Sequence, residues 1–429
     1  MVNKKVYLKP GKEESLLRYH PWVFSGALSR LDDGIEEGEI VDVLTSKRTF
    51  IARGHFQIGS IAVRVLTFDE QEQIDNRYWT ERLLAAKQMR DSLDLIKPGM
   101  TDTYRLVHGE GDNLPGLVID IYGKTAVMQA HSAGMHLCRL DIAKALQDVM
   151  QGSVENIYYK SETTLPFKAD LLARENGFIV KAGNGSDENI GLENGLKFRV
   201  DWLKGQKTGF FVDQRDNRSL LERYARGRKV LNMFCYTGGF SCYALRGGAV
   251  LVHSVDSSAK AISLTDENVA MNFPNETRHQ SFAEDAFKFL ENSSPLIPHP
   301  KEFFTLHSSL FTSEDSSFLI PNSSFNYDLI ILDPPAFAKH RDALRNGLRG
   351  YIRLNAKAME KIAHGGILFT FSCSQVVSKD NFRAAVFTAA AQSHRRVRIL
   401  HQLTQPADHP VNIYHPEGEY LKGLVLYVE

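Results

Sequence analysis

The run FCYTGGFS (234–241) closes an apolar strand-like segment with a glycine turn and opens a helix-like one. Gly238 and Gly239 let a ligand approach the backbone closely, and a helix start offers unpaired N–H groups to a carboxylate or phosphate. Asp256 ends the next apolar run, eighteen residues after Gly238, where it could accept both hydroxyls of a ribose. Asp285 follows a third, weaker run and could accept the exocyclic amine of adenine. Each element alone is weak, since a glycine turn is often only a turn and a strand-end acid is often a helix cap. Together they describe an adenosine-bearing cofactor. The turn lacks the GxGxxG spacing that suits a pyrophosphate. A cofactor with ribose and adenine but no phosphate is S-adenosylmethionine, whose methionine end the turn would take. Asn232, Phe234, Thr237 and Ser257 share these segment ends and count with the same site.

A fourth apolar run, YDLIILD (327–333), ends in Asp333-Pro334-Pro335. Two prolines fix φ and hold the preceding backbone extended, so the Asp333 carboxylate can face a planar substrate rigidly, with Pro334 beside the cofactor. A fifth run, GILFTFS (366–372), is followed by Cys373, forty residues after Asp333. If the fourth and fifth strands are neighbours in a doubly wound sheet, their carboxyl ends open onto one crevice, and Cys373 joins Asp333 and the cofactor. A thiolate there could add to C6 of a cytosine and make C5 nucleophilic enough to take a methyl group. Asp333 would stabilise the pyrimidine at N3 or N4. Past the prolines, Lys339, Arg341, Arg345, Arg349 and Arg353 belong to a basic stretch whose arginines recur every four residues, although Gly350 threatens the helix. Such a row reads as phosphate contacts. A second basic group (Lys204, Lys207, Arg215, Arg218, Arg223) flanks Phe210 and Phe211. The bland reading of any charge run is a solvated face.

From Leu196 onward the alternation of strand and helix patterns predicts an α/β fold, a doubly wound Rossmann-like parallel sheet. The strands are expected at 229–234, 250–256, near 278–282, 327–333 and 366–372, with 397–403 and 423–428 finishing the sheet. Helices are expected at 240–247, 258–272, 285–291, 343–363 and 379–393. Ahead of it, VYLKP, GEIVDVL, FIARGHF and SIAVRVLTF predict a small β-barrel-like unit, followed by a central α+β domain with one helix near 136–150. The boundaries are read as 1–72, 73–190 and 191–429, the second falling at the Gly/Asn-rich stretch 183–195. Residues 292–326, with nine serines and four prolines, read as a surface insertion. In the first unit Lys12, Arg18 and Trp22 stand in a basic, aromatic segment that could meet RNA.

Equal counts of basic and acidic residues, 51 each, leave no net charge, which says nothing against a nucleic-acid partner because distribution decides. No apolar run approaches the ~20 residues of a membrane span. The four cysteines match no disulfide framework and no metal pattern, so a cytosolic protein with no metal is expected.

The chain resembles the bacterial PUA-domain class I methyltransferases that form 5-methylcytidine in 23S ribosomal RNA. The resemblance spans nearly the whole sequence, through LKPGKEESLLRYHPWVFSGAL, GEGDNLPGLVIDIYG, LKGQKTGFFVDQRDNR, VLNMFCYTGGFS, ILDPPAFAK, RGYIRLNAKAM, TFSCS and DHPVNIYHPEGEYLKGLVLYV. It implies a PUA RNA-binding domain, S-adenosylmethionine as cofactor, Cys373 as nucleophile and Asp333 as the substrate-side acid. It further implies that Gln214, Thr237, Gly238, Asp256 and Asp285 line the cofactor site and that 23S rRNA is the partner; a homodimer is left open by the sequence. Ala336, where two-cysteine RNA methyltransferases carry a further Cys, and the 292–326 insertion depart from expectation. The competing readings are an N-methyltransferase on guanine or adenine with Cys373 merely packed, and a non-catalytic RNA-binding assembly factor.

Overall fold

The structure, a computed structural model, describes residues 3–166, 176–182, 189–292 and 326–429. The expected insertion at 292–326 lies outside them except for its two end residues. Two compact units emerge: 1–219 with 404–420, and 220–403 with 421–429.

The first unit opens with strands β1 (Lys4–Leu8), β2 (Trp22–Phe24), β3 (Leu28–Leu31), β4 (Ile40–Leu44), β5 (Phe50–Phe56) and β6 (Ile61–Thr67), plus the one-turn helix α1 (Glu14–Leu17). They form one six-stranded sheet in the order β2-β6-β5-β4-β1-β3. Val6, Leu8, Val41, Val43, Ala52 and Val63 alternate inward along these strands and build a dedicated core, as period-two patterning requires. The helix α2 (Asn76–Ser92) begins where Asp75 accepts hydrogen bonds from the N–H groups of Arg77 and Tyr78. It covers a second sheet of β7 (Thr103–His108), β8 (Leu117–Tyr122), β9 (Thr125–Ala130), β10 (Asn156–Tyr159) and β11 (Gly177–Val180). The single helix expected near 136–150 is two, α3 (Ala133–Leu137) and α4 (Arg139–Met150), separated at Cys138.

The stretch read as a boundary holds a strand. β12 (Ile190–Glu193) pairs with β13 (Leu196–Arg199) through Asn194-Gly195, both at positive φ (50° and 81°), the signature of a tight hairpin turn. The hairpin docks on the central sheet, where Asp102 Oδ1 accepts the Leu192 N–H at 2.6 Å. By packing, residues 189–219 therefore go with the first unit, whereas the sequence reading began the catalytic domain at 191.

The same unit is threaded by buried charge. Asp408 accepts hydrogen bonds from Arg215 Nη2 at 2.7 Å and from the Arg105 N–H at 3.0 Å, and its carbonyl accepts Arg90 Nη2 at 2.7 Å. Burial opposes the Asp408 charge, but Arg215 and His409 prevail and hold its carboxyl well below the usual carboxylate range. Arg218 forms a second buried pair with Glu193. Arg215 and Arg218 are thus fixed inside the protein and are not part of a basic surface around Phe210 and Phe211.

The second unit, entered through the helix α5 (Arg215–Ala225), has seven strands: β14 (Lys229–Met233), β15 (Leu251–Asp256), β16 (His279–Ala283), β17 (Tyr327–Leu332), β18 (Ile362–Ser372), β19 (Val397–Leu403) and β20 (Lys422–Val428). Their order is β16-β15-β14-β17-β18-β20-β19, all parallel except β20, which runs antiparallel to both neighbours. The helices α6 (Gly239–Arg246), α7 (Ala259–Asn272), α8 (Ala286–Asn292), α9 (Leu344–Lys361) and α10 (Lys379–Gln392) lie close to their expected bounds. Gly350 does not interrupt α9. A side chain at Gly350 would collide with the Phe337 ring (2.9 Å), and one at Gly347 with Ala338 (2.7 Å), so both glycines let the loop after Pro335 lie directly on the helix. No helix among the described residues is long and apolar enough to cross a membrane.

Two buried histidines set an acid limit. Burial, and then Arg64, brings His55 down to about 4; burial, and then His279, brings His253 to about the same value. Both imidazoles are neutral when folded and titrate near 6.5 when unfolded. Between these values the unfolded chain binds more protons, so stability is complete above 6.5 and is lost as pH falls toward about 4. Thermal melts across that window should show falling midpoints; midpoints that hold level or rise would contradict the assignment.

Candidate active site

The register of the parallel strands aligns the carboxyl ends. Leu332 pairs with Met233 on one side and Thr370 on the other, and Met233 pairs with Val255. Phe234, Asp256, Asp333 and Cys373 therefore leave the sheet along one edge, and Asp285 follows β16 at the same edge.

The turn after β14 alternates through left-handed conformations, with positive φ at Phe234 (58°), Tyr236 (49°) and Gly238 (75°). It is pinned from several directions. The Cys235 N–H bonds to the Val255 carbonyl at 3.0 Å, and Thr265 Oγ1 donates to the Tyr236 carbonyl at 2.9 Å. Asn268 Nδ2 donates to the Thr237 carbonyl at 2.8 Å. A Cβ at Gly238 would stand 2.6 Å from the Thr265 methyl, so the turn can be closed only by glycine. Asp256 completes the cradle, its Oδ2 accepting the Tyr236 N–H at 3.0 Å and its Oδ1 the Ser258 N–H at 2.9 Å. Asp285 caps α8, with Oδ1 accepting from Phe287 and Lys288, both at 3.0 Å. A carboxylate offers about four acceptor positions, so both acids keep capacity for a ribose and an amine. The turn, 234–239, carries no Lys or Arg, as suits a phosphate-free ligand.

The remaining cofactor candidates divide. Thr237 is buried in the turn, and Ser257 is exposed beside Asp256. Asn232 is buried and donates to Ser241 Oγ at 2.9 Å, and its Oδ1 has no hydrogen-bond partner. Gln214 belongs to the first unit, where its Oε1 accepts from Asn217 at 2.6 Å.

Asp333 and Cys373 are both half-buried, and Pro334 is buried between the sheet and the loop. What joins them is Tyr351 on α9, a residue the sequence reading passed over. Burial pushes its phenol up to about 12; a hydrogen bond from Ser372 works against this, and the charges of Cys373 and Asp333 add to it. Ser372 Oγ donates to the Tyr351 hydroxyl at 2.9 Å, and the Phe337 ring packs 4.7 Å from the Tyr351 ring. Lys422 was also missed. It faces Ser372 across β18 and β20, is only 5% exposed, and donates from Nζ to the Ser374 carbonyl at 2.5 Å. A lysine opening an otherwise apolar strand was the signal available. The Ser374 hydroxyl in turn donates to the Ala338 carbonyl, tying the loop after Cys373 to the loop after Asp333.

The other cysteines are inert by comparison. Cys242 is buried, burial and then Asp141 push the Cys138 thiol up to about 12, and burial raises that of Cys235 further. Of the basic candidates, Lys12, Arg18, Lys339, Arg341, Arg345 and Arg349 are all exposed. Trp22 is half-buried, its indole N–H donating to Glu110 Oε1 at 2.8 Å.

Comparison with known proteins gives the family of the chain. The PUA-like domain family matches residues 6–68, and the S-adenosylmethionine-dependent methyltransferase family matches residues 181–300. The chain is 38% identical over 426 residues to the ribosomal RNA large subunit methyltransferase I of Tolumonas auensis, covering 99% of both chains. It is equally similar, 38% over 428 residues, to the protein of that name from Pseudoalteromonas atlantica, covering all of both. The chain belongs to the ribosomal RNA large subunit methyltransferase I family. Two solved structures share the fold of this family member over their full lengths. One is an S-adenosylmethionine-dependent methyltransferase from Streptococcus mutans (TM-score 0.78, 20% identity), the other a methyltransferase complexed with S-adenosylhomocysteine (TM-score 0.79, 21% identity).

The cofactor is therefore S-adenosylmethionine, and the glycine turn, Asp256 and Asp285 fit it. Asp256→Ala should weaken its binding by about 1.5–3 kcal/mol, the usual contribution of hydrogen bonds to a charged acceptor. Titration calorimetry measures this, and an unchanged dissociation constant would put the ribose elsewhere.

Proposed function

We propose that the protein methylates C5 of a cytidine in 23S ribosomal RNA, by way of a covalent bond between Cys373 Sγ and cytosine C6. The names of its relatives support a large-subunit rRNA substrate. The observation that supports the cytosine reading is the register of β17 with β18, which brings a half-buried thiol, Cys373, and a half-buried carboxyl group, Asp333, to the same rim of the sheet, since an amine-methylating enzyme has no use for the thiol.

When bound, S-adenosylmethionine supplies an electrophilic methyl group. The residues of the chain prepare the base to receive it. Cys373, as thiolate, adds to C6, and the electron pair moved toward C5 makes that carbon enamine-like. Asp333, held extended by Pro334, faces the N3–N4 edge as the carboxylic acid and gives its proton to N3, where negative charge develops as the thiolate adds. The buried Lys422 ammonium, bonded to the carbonyl next to Cys373, favours the thiolate. Tyr351, neutral at physiological pH, holds the Ser372 end of β18 in place. After C5 gains its methyl, loss of the C5 proton returns an electron pair that expels Cys373 from C6.

An RNA carrying 5-fluorocytidine tests this directly, because the C–F bond blocks the final elimination. The wild-type protein should be trapped in a covalent RNA adduct and the Cys373→Ala variant should not. Full methyl transfer by Cys373→Ala would eliminate the covalent scheme.

The exposed arginines of α9, with Lys339, Arg341 and the N-terminal Lys12 and Arg18, are proposed as phosphate contacts. Arg345 and Arg349 lie on the helix that starts just beyond the Asp333 loop, and Arg349 lines a groove of about 360 Å³ with Arg353, Lys357 and Gln392. Replacing Arg345 and Arg349 together by alanine should lower the magnitude of the salt slope of RNA binding by about 1–2. An unaltered slope returns both residues to the solvated surface.

A further inference from the structure

We propose that His20, His415 and Glu417 form a binding site for a divalent transition metal of the zinc class. All three belong to the first unit, and the proposal does not rest on the cytosine reading. Their nearest ligand atoms lie within 4.8 Å of one another. Glu417 Oε2 is 3.6 Å from His20 Nε2 and 3.8 Å from His415 Nε2. Metal–ligand bonds of about 2.0–2.1 Å in a tetrahedron put neighbouring ligands about 3.3 Å apart, so closure requires Glu417 to move by a few tenths of an ångström and the two imidazoles, within 4.8 Å, to approach by at most about 1.5 Å.

His415 makes the cluster more than a chance neighbourhood. Its side chain is only 3% exposed, and neither ring nitrogen has a hydrogen-bond partner. A buried imidazole normally satisfies at least one nitrogen. The backbone around it is well fixed: its N–H bonds to the Asn412 carbonyl at 2.8 Å, and its carbonyl accepts the Gly418 N–H at 3.1 Å. The Trp22 ring covers it at 4.2 Å. The imidazole is therefore held with Nε2 toward a carboxylate that is too distant to hydrogen-bond and well placed to share an ion.

His20 brings the supporting contact that metal-bound histidines commonly use. Its Nδ1 lies 3.4 Å from the Trp22 carbonyl and 3.2 Å from the Trp22 N–H, contacts that belong to alternative tautomers. The tautomer that donates to the carbonyl gives up the shorter contact from the Trp22 N–H and leaves a lone pair on Nε2, facing Glu417. Two histidines and one carboxylate suit zinc, with a water as fourth ligand on the side where Glu417, 51% exposed, meets solvent. Such an ion would clamp residue 20 to residues 415–417.

The test uses the full chain stripped with a chelator. Zn²⁺ titrated by calorimetry should bind at one equivalent, and Co²⁺ in its place should show the intense visible bands of a tetrahedral site with nitrogen and oxygen ligands. His415→Asn and Glu417→Gln should each weaken binding by about tenfold or more, and Zn²⁺ should raise the melting temperature of the wild type but not of these variants. Glu417 is exposed, so Glu417→Gln remains informative if His415→Asn fails to fold. Absence of Zn²⁺ binding at micromolar concentrations, or binding unchanged in Glu417→Gln, would overturn the proposal.

Discussion

The candidate active site depends first on lateral hydrogen bonding between β14, β17 and β18. Because Leu332 is matched to Met233 and to Thr370, three chain segments distant in sequence end level with one another. A slip of one residue would turn every side chain of the slipped strand to the opposite face and carry its apolar run out of register with the helices that cover it. The chemistry is therefore protected by the same interdigitation that makes the core. Everything at the rim is added to this alignment: the proline pair that stiffens Asp333, the glycines of α9 that admit the loop behind it, and the turn after β14 that only Gly238 can close.

Around that rim, polar groups are used sparingly and each is held by another. The Ser374 hydroxyl joins the loops that follow Asp333 and Cys373, Lys422 donates to a carbonyl beside Cys373, and Ser372 orients the phenol of Tyr351. A lysine and a tyrosine buried this deeply are costly unless partnered, and each here has a partner. The first unit follows another plan. Arg90, Arg105, Arg215 and Arg218 are paired with Asp112, Asp120, Asp408 and Glu193 in its interior, where removing any one member would strand an uncompensated charge.

The doubly wound sheet was legible because its strands are continuous apolar runs and each ends in a chemically marked residue. Asp256, Asp285, Asp333 and Cys373 could all be placed at one edge from spacing alone. Other features were hidden for physical reasons. Lys422 reaches Ser374 only because β20 inserts antiparallel beside β18, a topological fact that no local pattern carries. Tyr351 reads as one more aromatic on an amphipathic helix until the loop it touches is in place. Arg215 and Arg218 look like surface charges because their partners, Asp408 and Glu193, lie 193 and 25 residues away. The β12–β13 hairpin was concealed by the glycine and asparagine content that makes its turn.

The excursion of residues 404–420 out of the second unit's sheet, between β19 and β20, has a consequence for how the protein is made. Asp408, the hub of the first unit's interior charges, is not available until nearly the last residue has been added to the chain. During synthesis Arg215 must wait without its carboxylate partner, and Arg90, already paired with Asp112, without the Asp408 carbonyl, until the segment 404–420 has emerged from the ribosome. Maturation of the first unit is therefore late and post-translational, and a product terminated before residue 404 would lack the keystone of its opening half as well as its final strand.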